Sequence, residues 1–263
     1  MTDSWQSKIY SQHIGGIGQT VSGGNVTGWT STNGVANLAG GTPPAEDVAE
    51  VLGRGGLTFD TSNTEHLLAS ELATPFTGTP PDHGIAVLFK PNTLGINQYL
   101  VGAGAANDAF RALYITTSDQ SAYVGRRSGS PNRIVGFGLP GYFSTSRTYV
   151  WVISGSGDTF KSVVRPLDGS ADSVGTDSIS LGGSAALTQG VIGSRWINGA
   201  ASGGAGMTLY EAIVFDDALT GDQANEAGGG EIWDVIDYLT RELASGMLGS
   251  KQLIPGLGLG IFN

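Results

Sequence analysis

The sequence predicts an all-β fold, a sandwich or barrel closed by one C-terminal helix. Three observations carry that expectation. Glycine fills 43 of 263 positions without a three-residue period and with only 10 prolines, so it marks turns and bulges rather than a collagen-like helix. Apolar or alternating segments of strand length recur along the chain, separated by Gly, Ser and Asn. Only residues 231–248 carry a long apolar pattern at helical spacing, so no βαβ alternation is present.

Taken in order, residues 1–22 read as a lead segment with scattered anchors at Trp5, Ile9, Tyr10, Ile14 and Ile17. Residues 23–56 read as loop-rich. Trp29 there sits between polar turn residues, and the Gly-Gly and Pro-Pro steps of "GGTPPAEDVAE" mark a turn. Strands follow at 56–60, 67–68, 84–91, 98–101, 110–116, 121–125 and 133–137, then at 147–153, 160–166, 190–195 and 206–216. Thr220, with Gln223 three positions on, predicts a capped turn of helix. In 231–248, Ile232, Val235, Ile236, Leu239 and Leu243 share one face, with acids early and Arg241 late. The expected organisation is a lead at 1–22, a sandwich at 23–230, and a helix with an apolar tail at 231–263.

Composition narrows the function. Lys plus Arg total 13 against 23 Asp plus Glu, a balance that disfavours a phosphate-binding surface and hence a nucleic-acid partner. The middle third is the exception: residues 111–210 hold 8 basic and 5 acidic groups. Cysteine is absent, which removes disulfides, thiolate ligands and a cysteine nucleophile. The amino terminus has no continuous apolar core and predicts no export signal, and no run of 18 apolar residues predicts a membrane span. Charged residues make up only 14%, so the surface must be clothed in Ser, Thr, Asn, Gly and backbone.

Two segments carry a family resemblance. "GGLTFDTSNTEHLLAS" near the front and "GMTLYEAIVFDDALTGDQ" near the back resemble the opening and closing segments of the concanavalin A-like, laminin-G-type jelly-roll superfamily. Leu57, Phe59 and Asp60 take the early pattern, with Thr61 where glycine is usual. Leu209, Glu211, Ile213, Phe215, Ala218, Leu219 and Thr220 take the late one, and "WTSTNG" also fits. The resemblance spans about 24–243 and implies a jelly-roll β-sandwich. It leaves function open, because the superfamily holds carbohydrate-binding modules, glucanases, lyases, adhesion modules and virion parts.

Strict alternation puts Glu211 on one face with Leu209, Ile213 and Phe215, as a structural carboxylate in need of donors. The paired-glutamate spacing of the superfamily's glycosidases is absent, and Glu46, Asp47 and Glu50 read as a solvated loop face or helix-start acids, with a calcium ligand set the alternative. Asp168, Asp172 and Asp177 read as an ordinary hairpin loop, with a calcium site the alternative. His13, His66 and His83 are too dispersed for a zinc motif. Arg126, Arg127 and Arg133 form either a solvated hairpin or a loop that contacts carboxylates and sugars. Trp29, Trp196 and Tyr142 are the rings to test as sugar platforms, and Trp151 reads as core.

These readings favour a non-enzymatic virion structural or attachment protein. Its expected partners are other virion proteins, further copies of itself and cell-surface glycan, and no cofactor is expected unless calcium binds. A carbohydrate-binding module or adhesin is the first alternative. A glycan hydrolase or lyase is the second, and would need distant carboxylates or a Tyr/His/Arg set to converge.

Overall fold

The computed structural model describes residues 4–78, 82–126, 128–178 and 186–243. Its first strands are Ile9–Ile14 (β1), Gln19–Ser22 (β2), Asn25–Trp29 (β3), Leu38–Ala39 (β4), Ala45–Val51 (β5) and Arg54–Phe59 (β6). There follow Leu67–Ala69 (β7), His83–Pro91 (β8), Gln98–Gly104 (β9), Phe110–Ile115 (β10), Ser121–Arg126 (β11) and Arg133–Phe137 (β12). Tyr149–Ser156 (β13), Thr159–Pro166 (β14), Ser173–Ser178 (β15), Gln189–Ile192 (β16), Arg195–Ile197 (β17), Ala200–Ser202 (β18) and Met207–Phe215 (β19) complete the strands. The one α-helix among the described residues is Glu231–Thr240 (α1).

These strands form the expected sandwich with its C-terminal helix. The back layer runs β15–β14–β13–β8–β19, antiparallel throughout. The front layer runs β12–β11–β10–β9–β16–β7–β4–β3–β2. At the free edge of β19, β1 lies beside residues 211–215 and β6 beside 207–209. β5 pairs with both β6 and β3, which joins the two layers and brings the architecture close to a barrel. The core between them includes Phe59, Phe89, Leu100, Leu113, Tyr123, Tyr149 and Trp151, all at most 1% exposed. Burying each such side chain contributes roughly 1.5–3 kcal/mol.

A second core lies outside the back layer. Ile232, Val235, Ile236 and Leu239 of α1 press on Ala86, Leu88, Val150, Val152, Ile213 and Phe215, with Trp5 at the margin. The helix is shorter than its apolar pattern predicts, because Arg241 turns extended. The expected continuation and the apolar tail at 244–263 lie outside the described residues. Thr220 does not open a helix of its own. Its amide donates to Glu231 Oε2 at 2.8 Å and its hydroxyl receives the Glu231 amide at 3.5 Å, so it ties down the start of α1 instead.

Three local expectations change. The acidic stretch read as a turn is β5, whose Glu46, Val48 and Glu50 stand exposed on an edge-like strand. Within the lead segment, β1 buries Ser11, Gln12, His13 and Ile14 against β19. On β19 itself a bulge at Tyr210 breaks the alternation: Leu209 joins the core between the layers, while Glu211, Ile213 and Phe215 turn toward the helix side.

Candidate functional site

With α1 covering the back layer, the sandwich has one other outer sheet face, on β9, β10 and β11. Alternation along β10 sends Leu113 and Ile115 inward and Phe110, Ala112 and Tyr114 outward. Register places Ala112 against Val124 and Tyr114 against Ala122. A bulge in β9 then sets Tyr99 opposite Tyr114. The result is an aromatic strip over a floor of small side chains. Tyr99 lies 4.9 Å from Tyr114 and 6.0 Å from Phe110, centroid to centroid.

The hairpin β17–β18 rests on this strip. Asn198 and Gly199 both take positive φ (52° and 74°), the requirement of the tight two-residue turn that joins such short strands. Arg195 lies 4.7 Å above the Tyr99 ring and 5.2 Å above Phe110, and its Nη1 donates to Tyr99 Oη at 2.9 Å. Close approach depends on Gly104, where a Cβ would stand 1.6 Å from the Trp196 carbonyl oxygen. The Asn198 amide donates to the Asn107 carbonyl at 2.8 Å. Trp196 and Ile197 stay half-buried at the water's edge.

Polar groups rim the strip. Tyr114 Oη donates to Asn97 Oδ1. Arg126, cross-strand from Phe110, pairs with Asp108 at 2.5 Å, and the Gly129 amide donates to the same carboxylate at 3.0 Å. The Ser128 hydroxyl, that amide and Arg126 hold the Asp108 carboxyl below the usual range. Burial raises the Tyr99 phenol, and burial with the neighbouring Tyr99 pushes Tyr114 up to about 12, so both rings are neutral at physiological pH. The Nε atoms of Arg126 and Arg195 are buried without a hydrogen-bond partner.

The other sequence candidates are dispersed. Trp29 is a core residue at 1% exposure. Its Nε1 donates to the Ile14 and Ile17 carbonyls, so it is no sugar platform despite its polar neighbours. Tyr142 is half-buried against Phe143 and Tyr149, with its hydroxyl spent on the Ala171 carbonyl at 2.7 Å. Arg133 is exposed on edge strand β12, and Arg127 lies outside the described residues. Asp168 pairs with Arg147, Asp172 is gripped through two oxygens by Arg165, and Asp177 accepts the Ser178 amide. No group of three or more metal-ligating side chains forms among the described residues, so these aspartates do not gather as a calcium set.

Two buried clusters look chemical but are sealed. His83 Nε2 lies 2.9 Å from Tyr123 Oη, and Arg111 nearby donates to the Phe76 and Gly78 carbonyls. This is a converged Tyr/His/Arg set, yet none of the three exceeds 2% exposure, so no substrate reaches it. Glu211 receives Arg54 Nε at 2.5 Å, Gln12 Nε2 at 2.6 Å and Tyr238 Oη at 3.0 Å. The network joins β1, β6, β19 and α1, with Glu211, Arg54 and Gln12 at 0% exposure, and its role is structural. Sequence reasoning expected Glu211 to be a structural carboxylate in need of donors and missed Arg54 as one of them. It also missed Tyr99, Tyr114 and Arg195, although the alternation of "FRALYI" and the Asn198-Gly199 step were visible signals.

No protein-family model matches this chain, and no curated protein sequence matches it. Solved structures do. NanB sialidase from Streptococcus pneumoniae superposes with a TM-score of 0.52 at 12% identity, over 66% of this chain and 27% of its own. The HCR/D-Sa-GBL1/C structure gives 0.57 at 10% identity, over 90% of this chain and 53% of its own. The CBM40 of the Ruminococcus gnavus IT-sialidase bound to alpha2,3 sialyllactose gives 0.48 at 16% identity, over 66% of this chain and 93% of its own. At such identities the likeness is one of fold. The chain has a lectin-like β-sandwich of a kind that also occurs within NanB, and it spans about a quarter of the NanB chain.

These neighbours overturn the expectation built on composition. NanB, a sialidase by name, carries this fold, so the fold gives no support to the virion structural or attachment role, the virion partners or the virion location, and those expectations are withdrawn. The expectation of a non-enzymatic protein loses its footing as well, since the same fold occurs within NanB, a sialidase, and so does not exclude an enzyme. A charge-poor surface follows from many short strands joined by Gly- and Ser-rich turns, and it does not report a particle.

Proposed function

We propose that this chain is a glycan-binding module whose ligand face is the outer surface of β9–β11 under the β17–β18 hairpin. The observation that carries the reading is the half-exposed Trp196 beside Arg195, which itself stacks on Tyr99 and Phe110. An indole at the water's edge offers a flat apolar surface to a sugar ring while its N–H stays free to bond. The neighbouring Arg195 guanidinium, 4.7 Å from the Tyr99 ring, and the Tyr99 phenol are groups able to direct hydrogen bonds to hydroxyls. Carbohydrate binding by the sandwich of the Ruminococcus gnavus CBM40 belongs to that protein, and the proposal rests on the side chains of this one.

Calorimetric titration with a panel of neutral and acidic polysaccharides tests it. Trp196→Ala should weaken the binding polysaccharide by about 30-fold, the equivalent of a binding hot spot of about 2 kcal/mol. A Trp196→Ala protein that binds as tightly as the parent chain refutes this placement of the site.

A further inference from the structure

The hairpin covers the aromatic strip in a way a permanent cover would not. Among the described residues, β17 and β18 pair only with each other, in a two-stranded sheet separate from the main one. Three-residue strands of this kind have little stability of their own. Glycine stands at both feet: Gly193 at φ 88° before β17, and Gly203 at φ 68° with Gly204 after β18. The seat consists of the Arg195 stack with its hydrogen bond to Tyr99, Ile197 packed on the strip, Gly203 against the Tyr99 ring, the Asn198–Asn107 amide bond and the Trp196 backbone against Gly104.

The closed position also leaves chemistry unfinished. Tyr99 and Tyr114 are only 5% exposed on this face, and two guanidinium donors, Arg195 Nε and Arg126 Nε, are buried there without acceptors among the described residues. Each buried, unmade hydrogen bond costs roughly 1–3 kcal/mol. The cover hides a stacking strip, and an acceptor that reached these two Nε–H groups would relieve that cost.

We propose that the β17–β18 hairpin is a lid hinged at Gly193 and Gly203–Gly204, and that its lifting opens a groove for an anionic sugar. In the open state the Tyr99–Phe110–Tyr114 strip stacks on pyranose faces, while Arg195 and Arg126 donate to a carboxylate or sulfate of the same chain. This assignment rests on the glycan-binding reading of the same face and adds a ligand class and a moving part to it. Asp108 holds one edge of Arg126 and leaves its Nε side for the ligand.

Hydrogen exchange read by mass spectrometry on the full chain, alone and with polygalacturonate, dextran sulfate or neutral dextran, tests the lid. Calorimetry with the same three polymers tests the ligand class. Amides of 195–202 should exchange at least 10-fold faster than those of β9 and β10, and at least one acidic polymer should bind 10-fold more tightly than dextran. The stronger of the two acidic polymers identifies the anion as carboxylate or sulfate. Arg195→Gln should both speed hairpin exchange and lose 10-fold or more in acidic-polymer affinity. Arg126→Gln should lose affinity and leave hairpin exchange unchanged, with β9–β10 protection in both variants reporting an intact fold. A hairpin as protected as β9 and β10 overturns the lid. Equal affinity for acidic polymers and dextran overturns the anion assignment, and no binding to any polymer overturns the glycan reading while the exchange result still decides the lid.

Discussion

Buried His13 should leave a measurable mark on stability between pH 4.5 and 6.5. Its ring is 1% exposed on β1, edge-on to Trp29 at 5.3 Å, and its Nε2 has no hydrogen-bond partner. Burial alone depresses its pKa from 6.5 to about 3. The unfolded chain therefore takes up a proton below pH 6.5 that the native protein refuses until about pH 3. Stability from this residue is complete above pH 6.5 and is lost as pH falls toward 3. The slope approaches about 1.4 kcal/mol per pH unit, and the loss from pH 6.5 to 4.5 integrates to about 2 kcal/mol. His13→Phe removes the titration and keeps an apolar ring in the site. Urea unfolding of both proteins at half-unit pH intervals supplies the comparison, and the readout is the change in their difference rather than either absolute value. Other titrating groups are common to both chains and cancel to first order. Parallel stability curves from pH 6.5 to 4.5 would refute the reasoning.

Two further outcomes follow from other sites. Arg54→Met strands the Glu211 carboxylate at 0% exposure and should cost roughly 3–5 kcal/mol in urea melts, whereas Arg54→Met with Glu211→Leu should recover most of that loss. A double variant no more stable than Arg54→Met would show that the pair is not the source of the cost. Gly104→Ala drives a methyl into the Trp196 carbonyl, so the hairpin must shift; tryptophan emission should move to the red while β9–β11 amides stay protected. An unchanged emission maximum would mean the hairpin is not seated on that glycine.

Sequence patterns reached the sandwich because its central strands are nearly uniform in polarity. β8, β13 and β19 are buried on both faces, and their apolar runs can be read without knowing any partner. β5 escaped because two prolines and three acids precede or line a strand whose side chains face water. β1 escaped for the opposite reason: its buried face includes Gln12 and His13, polar groups that only a tertiary network makes tolerable. The bulge at Tyr210 defeated strict alternation, since nothing in "MTLYEAIVF" announces a two-for-one register. At the candidate site, the half-exposed place of Trp196 matches its polar neighbourhood. Trp29 has a similar neighbourhood and is core, because which polar turn a ring folds under is decided by distant strands.

The pairing of β8 and β1 with β19 has a consequence for synthesis. A ribosome delivers β8 well before β19, so a strand destined for the middle of the back layer emerges with one flank open. β1 has a longer wait. Cooperative closure cannot begin until Phe215 has cleared the exit tunnel, which makes this a slow, late-folding chain whose nascent form needs shielding from neighbours on the same message.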